Sequence, residues 1–317
     1  EFLITAGSNM GHVNGTQIAA TPDGWVVAGN TRHSLTFGTN QVSSTSPYNA
    51  QLDADSYVAS IDDQGNWLWA VMPDATQGLT ILTCLTTSSS GDIYVGGLIV
   101  GDVSFGSTML SGQNLYGDGF IAKLDSSSGQ WMWAVMFSSP YVENSTTSNS
   151  SIVEDLEESV TGSLIVSGTQ KGITDFGGVV KNNTDSELFV VDLDKMSGGL
   201  NWVSTAGGIG TEEGAEVAVD SAGNIWQAGT TDGTFSANGK SHQAVSNTDT
   251  VVIKWSPNGV VQDVIGLASG ASEINLPEDL IVTQNDDVIV SGVFLGSMNA
   301  GNQNTLSDKG QGDAYVV

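Results

Sequence analysis

The segment Asp118-Gly-Phe-Ile-Ala-Lys-Leu-Asp125 decides the fold, because similar segments recur along the whole chain. The five copies begin 63, 69, 62 and 64 residues apart. Besides the segment from Asp118, they are Asp55-Ser-Tyr-Val-Ala-Ser-Ile-Asp62, Glu187-Leu-Phe-Val-Val-Asp-Leu-Asp194, Asp249-Thr-Val-Val-Ile-Lys-Trp-Ser256 and Asp313-Ala-Tyr-Val-Val317. Their aromatic and β-branched residues, bounded by turn-forming residues, are typical of β-strands. The chain is therefore expected to consist of five repeats.

Other strand-like segments recur in register with the first. A segment that ends in glycine precedes each copy, as in Ile93-Tyr-Val-Gly-Gly97, and a tryptophan-bearing segment follows several copies, as in Trp131-Met-Trp-Ala-Val-Met136. A short apolar segment lies about nine residues before the glycine-ending strand, and Gly, Asn and Asp turns join the two. Only Ile152 to Val160 carries a trace of helical periodicity. Each repeat is thus predicted to form four antiparallel strands.

Four-stranded units at a fixed period of about 64 residues predict an all-β β-propeller, because each small sheet buries its faces only by stacking on its neighbours. We expect one domain over residues 1–317, with five blades. The segment Glu1-Phe-Leu-Ile-Thr-Ala-Gly7 resembles the fourth strand Asn201-Trp-Val-Ser-Thr-Ala-Gly207, so residues 2 to 6 are predicted to pair with residues 313 to 317 and close the ring. The alternative is that the chain is a segment of a longer array of repeats.

Composition narrows the class of partner. The chain has 8 Lys and Arg against 35 Asp and Glu, which gives a net charge of −27. Such a charge disfavours nucleic acids and anionic membrane surfaces. The sequence contains no run of 18 apolar residues, so no membrane insertion is expected. Because internal counter-ions are scarce, we expect a salty or calcium-containing extracellular setting.

The repeats resemble the bacterial and archaeal secreted propeller families of the SBBP type. The resemblance rests on Gly91-Asp-Ile-Tyr-Val-Gly-Gly97, Gly223-Asn-Ile-Trp-Gln-Ala-Gly229 and the segment from Asp118 to Asp125. It implies an exported, extracellular or cell-surface repeat protein. It supplies no catalytic residues.

One repeated position is a candidate site. The residue nine before the glycine-ending strand is Thr16, Cys84, Asp155, Glu216 or Asp279 in the five repeats. In a propeller the first strands line the centre, so Asp155, Glu216 and Asp279 could converge there. They could bind a hard cation, most plausibly Ca²⁺, or act as the acid and base of a glycoside hydrolase. They could also be structural acids that accept backbone hydrogen bonds.

The remaining motifs favour structural roles. The acids that open the recurring segment, Asp55, Asp118, Glu187, Asp249 and Asp313, are interpreted as caps of the turn into the third strand. Cys84 is predicted to be a buried thiol, and the three histidines lack the spacing of zinc ligands. Candidate glycosylation sequons lie at Asn14, Asn144, Asn149 and Asn182.

The sequence as a whole predicts a non-enzymatic surface or extracellular module for adhesion, glycan or protein binding, or assembly with other surface proteins or with copies of itself. The alternative is a carbohydrate-active enzyme that uses Asp155, Glu216 and Asp279.

Overall fold

The chain is all-β. In the computed structural model the described residues are 6, 13–46, 55–113, 115–141, 148–245, 247–269, 274–299, 305–310 and 312–317. They contain no α-helix, and within them no helix is therefore available to cross a membrane. Ile152 to Val160, the one segment with helical periodicity, lies largely in a β-strand, Ser150–Glu158.

Residue contacts divide the chain into two compact units. The first unit comprises Glu1–Leu156, Thr174–Val180 and Met196–Gly198, and the second comprises Glu157–Ile173, Lys181–Lys195 and Gly199–Val317.

The first unit contains two larger sheets, a two-stranded hairpin and part of a further strand. Its strands are β1 (Val13–Thr21), β2 (Gly24–Thr31), β3 (Leu35–Phe37), β4 (Asn40–Val42), β5 (Asp55–Asp62), β6 (Trp67–Val71), β7 (Asp74–Thr87), β8 (Ile93–Phe105), β9 (Thr108–Ser111), β10 (Asp118–Leu124), β11 (Trp131–Phe137) and, up to Leu156, β12 (Ser150–Glu158). The first sheet has the order β1-β2-β5-β6 and the second β7-β8-β10-β11. Strands β3 and β4 form a hairpin, and β9 pairs with the end of β8.

The second unit contains most of the third repeat and the last two repeats. Its strands are β13 (Leu164–Asp175, in this unit up to Ile173), β14 (Val180–Leu193, from Lys181), β15 (Leu200–Ile209), β16 (Glu212–Val219), β17 (Ile225–Thr231), β18 (Thr234–Ala237), β19 (Lys240–Gln243), β20 (Asp249–Trp255), β21 (Val261–Ser269), β22 (Ile274–Val282), β23 (Val288–Leu295), β24 (Ser297–Asn299), β25 (Thr305–Ser307) and β26 (Asp313–Val316). The strand orders are β13-β14-β15-β18-β19, β16-β17-β20-β21-β24-β25 and β22-β23-β26.

Four repeats supply the four strands of a β-propeller-like blade, with antiparallel neighbours in chain order. The fifth repeat contributes three strands, β22, β23 and β26, to its own sheet among the described residues. The predicted closure depends on residues 2 to 6, of which only Ala6 is described, so a fifth four-stranded blade stays a prediction.

The recurring segment is the third strand of each sheet. Strand β10 pairs with β8 on one side and β11 on the other, and all seven of its residues are buried. Phe120 packs against Phe105 at 5.0 Å between ring centroids, and Phe105 meets Trp131 edge to face at the same distance. The third strand therefore lies in the middle of the core, which explains its strong pattern of apolar residues.

A glycine–tryptophan contact recurs between successive sheets. Gly129, Gly198 and Gly259 have φ angles of 70°, 71° and 72°, and each lies in the turn before the fourth strand. A Cβ atom on them would lie 2.6, 2.9 and 2.6 Å from the rings of Trp69, Trp133 and Trp202, respectively. Glycine is required there both by the left-handed backbone and by the closeness of the indole.

Candidate functional site

The three predicted carboxylates lie on first strands of their repeats. Asp155 is half-buried on β12, and its Oδ1 accepts a hydrogen bond from the Leu156 amide at 2.8 Å. Glu216 is half-buried opposite Ala228, and Asp279 is exposed opposite Ser291. Asp155 belongs to the first unit and the other two to the second, so their convergence stays a prediction. Within the described residues, no three or more His, Cys, Asp or Glu side chains are grouped to hold a metal ion.

The repeated position coincides with a β-bulge. Cys84, Glu216 and Asp279 each come directly after a register shift in the first strand. In the first repeat the residue in this place is Gln17 rather than the predicted Thr16, because the turn between β1 and β2 is one residue shorter. Bulges insert an extra residue and redirect the chain, so the recurrence has a structural cause.

In the first unit the bulge residues join neighbouring first strands. Gln17 Nε2 donates to the Thr83 carbonyl at 2.9 Å, and Thr83 Oγ1 donates to the Val153 carbonyl at 2.5 Å. Cys84 is 1% exposed beside this bridge, as predicted for a buried thiol. Polar side chains at or directly beside the bulges, Gln17 and Thr83, thus join neighbouring first strands in the first unit.

The recurring acids accept backbone hydrogen bonds from the loop before their strand. Asp55 Oδ2 accepts from the Thr45 and Ser46 amides at 2.6 and 3.0 Å, and Asp118 Oδ2 accepts from the Gln113 amide at 3.0 Å. Asp249 and Asp313 accept in the same way from Val245 and Lys309. These bonds agree with a structural role, and the fifth member of the set, Glu187, differs from them.

Glu187 lines a cleft of about 520 Å³ in the second unit, which we call the second-unit cleft. The cleft is formed by β14, the middle of β15, the turn of the β18–β19 hairpin and the turn between β20 and β21. The hairpin turn is Asn238-Gly239, with φ angles of 48° and 75°, as two-residue hairpins favour. Asn238 Nδ2 donates to the Val261 carbonyl at 2.8 Å and fixes the hairpin against β21.

The second-unit cleft presents mainly uncharged hydrogen-bonding groups. Its polar lining includes Lys181, Asn183, Glu187, Ser204, Thr205 and Asn238. The Nδ2 atom of Asn183 is buried and has no acceptor within the described part of the chain. A buried amide donor without an acceptor costs about 1–3 kcal/mol, so a ligand oxygen or a water molecule that reached Asn183 Nδ2 would be bound favourably.

A second carboxyl group, Glu212, lies behind Glu187. A Cβ atom on Gly207 would lie 2.6 Å from Glu187 Cγ and 2.8 Å from Glu212 Oε2, so the two side chains meet where Gly207 has none. Glu212 is fully buried, and it accepts hydrogen bonds from Thr231 Oγ1 at 2.8 Å and from the Gly208 amide at 3.3 Å.

Burial dominates the ionisation of both acids. It raises the pKa of Glu212 to about 7, the hydrogen bonds from Thr231 and Gly208 oppose the rise, and the charges of Glu187 and Asp232 add to it. Burial also raises the pKa of Glu187, while the Thr205 hydroxyl and the Lys181 charge lower it. The cleft therefore has a desolvated acid on its wall with a second acid behind it.

We expect the free energy of unfolding to fall as the pH rises from 4.5 to 7, because folded Glu212 keeps a proton that the unfolded chain releases. The rise of the Glu212 pKa from 4.5 to about 7 corresponds to a loss of about 3 kcal/mol, complete above pH 7. Urea unfolding at several pH values measures this slope. The variant Glu212→Gln should have a smaller slope, while Glu213→Gln, at the exposed neighbouring position, should keep that of the parent. Equal slopes in all three proteins would contradict the assignment.

Neither Glu187 as a cleft residue nor Glu212 was anticipated from the sequence. Glu187 is the only glutamate among the recurring acids, which are otherwise aspartates. Its longer side chain reaches the second-unit cleft, so this difference in residue type was the one indication in the sequence. Glu212 lies in the first strand of the fourth repeat, where nothing in the local pattern indicates complete burial.

The remaining sequence candidates have separate places. Asn14 and Asn182 are exposed, Asn149 is 7% exposed and donates to the Pro140 carbonyl, and Asn144 lies outside the described residues. His242 bonds a carboxylate, with Nε2 at 2.9 Å from Asp249 Oδ2. Of the three described sequon asparagines, Asn14 and Asn182 are therefore the accessible ones.

No protein-family model and no curated protein matches the chain. Among solved structures, a protein of unknown function from Dyadobacter fermentans is similar at 11% identity, with a TM-score of 0.47 and coverage of 88% of this chain and 75% of that one. A polysaccharide lyase, an ulvan lyase, is similar at 11% identity and a TM-score of 0.48, with coverage of 92% and 68%. BamB from Moraxella catarrhalis has 12% identity, a TM-score of 0.30 and coverage of 97% and 90%. Likeness at this level carries no activity over to this chain.

Proposed function

We propose that this chain is a non-enzymatic module that acts outside the cell or at its surface and binds neutral glycans through the second-unit cleft. The observation that carries the proposal is the set of uncharged hydrogen-bonding groups in one cleft, among them the Asn183 amide without an acceptor. Ligand sites combine a concave surface with a few placed polar groups, which suits a polyhydroxylated ligand.

The charge of the chain supports a neutral ligand. A net charge of −27 repels polyanions, and Lys181 is the one base that lines this cleft among the described residues. The extracellular setting is supported by the resemblance to secreted repeat families and by the two exposed sequons, Asn14 and Asn182. Adhesion or assembly would follow from binding a glycan on another surface.

Replacing Asn183 by Ala is expected to weaken glycan binding about tenfold, the value of one buried hydrogen bond. Titration calorimetry with chitohexaose, cellohexaose and mannohexaose measures the effect. Asn182→Ala is the matched control, because Asn182 is the exposed neighbour on the same strand. Absence of binding to all three sugars, or equal affinities of the two variants, would overturn the proposal.

A carbohydrate-active enzyme is the second candidate, and the raised pKa of Glu187 in an open cleft is the observation that favours it. An enzyme would release reducing ends or unsaturated products from a polysaccharide, and Glu187→Gln would abolish that release. The triple variant Asp155→Asn, Glu216→Gln and Asp279→Asn tests the set predicted from the sequence. If the parent protein releases no product from chitin, cellulose, mannan or ulvan, the enzymatic candidate fails.

A further inference from the structure

The first unit contains a cleft of about 690 Å³ at the place that corresponds to the second-unit cleft. We call it the first-unit cleft. It lies between the end of β6, the turn of the β8–β9 hairpin and the turn between β10 and β11. The second-unit cleft likewise uses a fourth strand, here the middle of β15, together with a hairpin turn and the turn before the next fourth strand.

The backbone confirms that the two clefts are built alike. The hairpin turns begin with Gly106 at a φ of 60° and with Asn238 at 48°. The other turns contain Gly129 at 70° and Gly259 at 72°, each against a tryptophan of the preceding sheet. The repeat therefore produces a similar concave surface in each unit.

The side chains of the two clefts differ in chemistry. Trp131 and Met72 line the first-unit cleft, where the corresponding residues of the second-unit cleft are Val261 and Thr205. Trp131 is half-buried and held edge to face by Phe105, with 86° between the ring planes. Asp74, Ser128 and Gln130 are exposed beside it. A fixed indole with polar groups around it matches a pyranose ring, which has an apolar face and a rim of hydroxyl groups.

We propose that the first-unit cleft is a second saccharide site, which stacks a neutral hexopyranose residue on Trp131 and binds its hydroxyl groups through Gln130, Ser128 and Asp74. The inference rests on the proposed function only for the class of ligand. One chain would then have two glycan sites. A polysaccharide with many repeated sugar residues would bind more tightly than a short oligosaccharide, because it can occupy more than one site or rebind.

The test combines titration calorimetry with tryptophan fluorescence, using chitohexaose, cellohexaose and mannohexaose. We expect Gln130→Ala and Trp131→Phe to lower the affinity of the first-unit cleft for the sugar about tenfold or more. Trp131→Phe should also remove the change in fluorescence on binding. Asn183→Ala should leave that change intact. Gln64→Ala is the matched control, an exposed glutamine in the corresponding turn of the first sheet. Gln130 is exposed, so its variant tests the site even if Trp131→Phe loses stability.

Each outcome separates this inference from the proposed function. Loss of binding in Asn183→Ala, with no effect of Gln130→Ala or Trp131→Phe, overturns the first-unit site alone. Loss in Gln130→Ala and Trp131→Phe, with no effect of Asn183→Ala, supports the first-unit site and overturns the second-unit site. Absence of binding to the three neutral sugars, or binding only to anionic oligosaccharides such as oligoalginate, overturns both.

Discussion

The variant Asp118→Ala is expected to lose about 2–4 kcal/mol of the free energy of unfolding, from about 1–3 kcal/mol for the buried Ser139 amide left without this acceptor and about 1 kcal/mol for the bond lost by the exposed Gln113. Asp118 is fully buried in the first unit. Its Oδ1 accepts from the Ser139 amide at 2.6 Å and its Oδ2 from the Gln113 amide at 3.0 Å, so one carboxylate ties two loops to β10. Urea unfolding with an unchanged m-value measures the loss.

Asp313→Ala is the control for this prediction. Asp313 occupies the same place in the fifth repeat, but it is only half-buried and accepts from the Lys309 amide at 3.1 Å. Its replacement should cost less than about 1.5 kcal/mol, the net value of one ordinary hydrogen bond. Equal losses in the two variants would mean that burial of the carboxylate is not what makes Asp118 important.

The strands that the sequence predicted well are those whose pattern is local. Strands β5, β10 and β20 begin at Asp55, Asp118 and Asp249, where the recurring segment begins. Their aromatic and aliphatic residues are selected by burial on both faces, so the signal is present in each repeat independently. The hairpins β3–β4 and β8–β9 were not predicted, although Phe37-Gly38 and Phe105-Gly106 recur in their turns. Each hairpin pairs two short segments whose pattern of apolar residues is weak.

The candidate site was less predictable, because tertiary contacts create it. Counting residues put Thr16 in the repeated position, and a turn one residue shorter moved Gln17 there instead. The meeting of Glu187 and Glu212 depends on the missing side chain of Gly207, which is one of forty glycines in the sequence. No local pattern separates such a glycine from one in an open turn.

The excess of acids has a partial explanation in the turns. Asp62 and Asp125 accept hydrogen bonds from neighbouring amides and side chains, chiefly from Asn66 in one case and from Ser127 and Ser128 in the other, and these bonds lower the pKa of each carboxyl. Asp220 is held in the same way by Asn224, and its pKa is also lowered. Hydrogen-bond donors of the turns thus stabilise these carboxylates where other proteins use lysine or arginine. The long-range repulsion among the acidic groups remains, and it is the reason for the expected dependence of stability on salt.

Gly259→Ala is expected to lose about 2–5 kcal/mol of the free energy of unfolding, from about 1–2 kcal/mol for a left-handed backbone and about 1–3 kcal/mol for overpacking. The φ angle of Gly259 is 72°, and a Cβ atom there would lie 2.6 Å from the Trp202 ring and 2.7 Å from Ser204 Oγ. Trp202 belongs to β15 and Gly259 to the turn before β21, so the contact joins neighbouring sheets of the second unit. Thermal and urea unfolding of the variant measure the loss.

Gly239→Ala separates the two contributions. Gly239 has a φ angle of 75°, but no atom lies within 4 Å of the position of its Cβ, so only the backbone cost of about 1–2 kcal/mol should appear. Gly129→Ala, whose Cβ would lie 2.6 Å from the Trp69 ring in the first unit, should match Gly259→Ala. If Gly259→Ala and Gly239→Ala lose the same free energy, the tryptophan contact contributes nothing. If Gly129→Ala and Gly259→Ala differ widely, the repeats do not share this contact as a common source of stability.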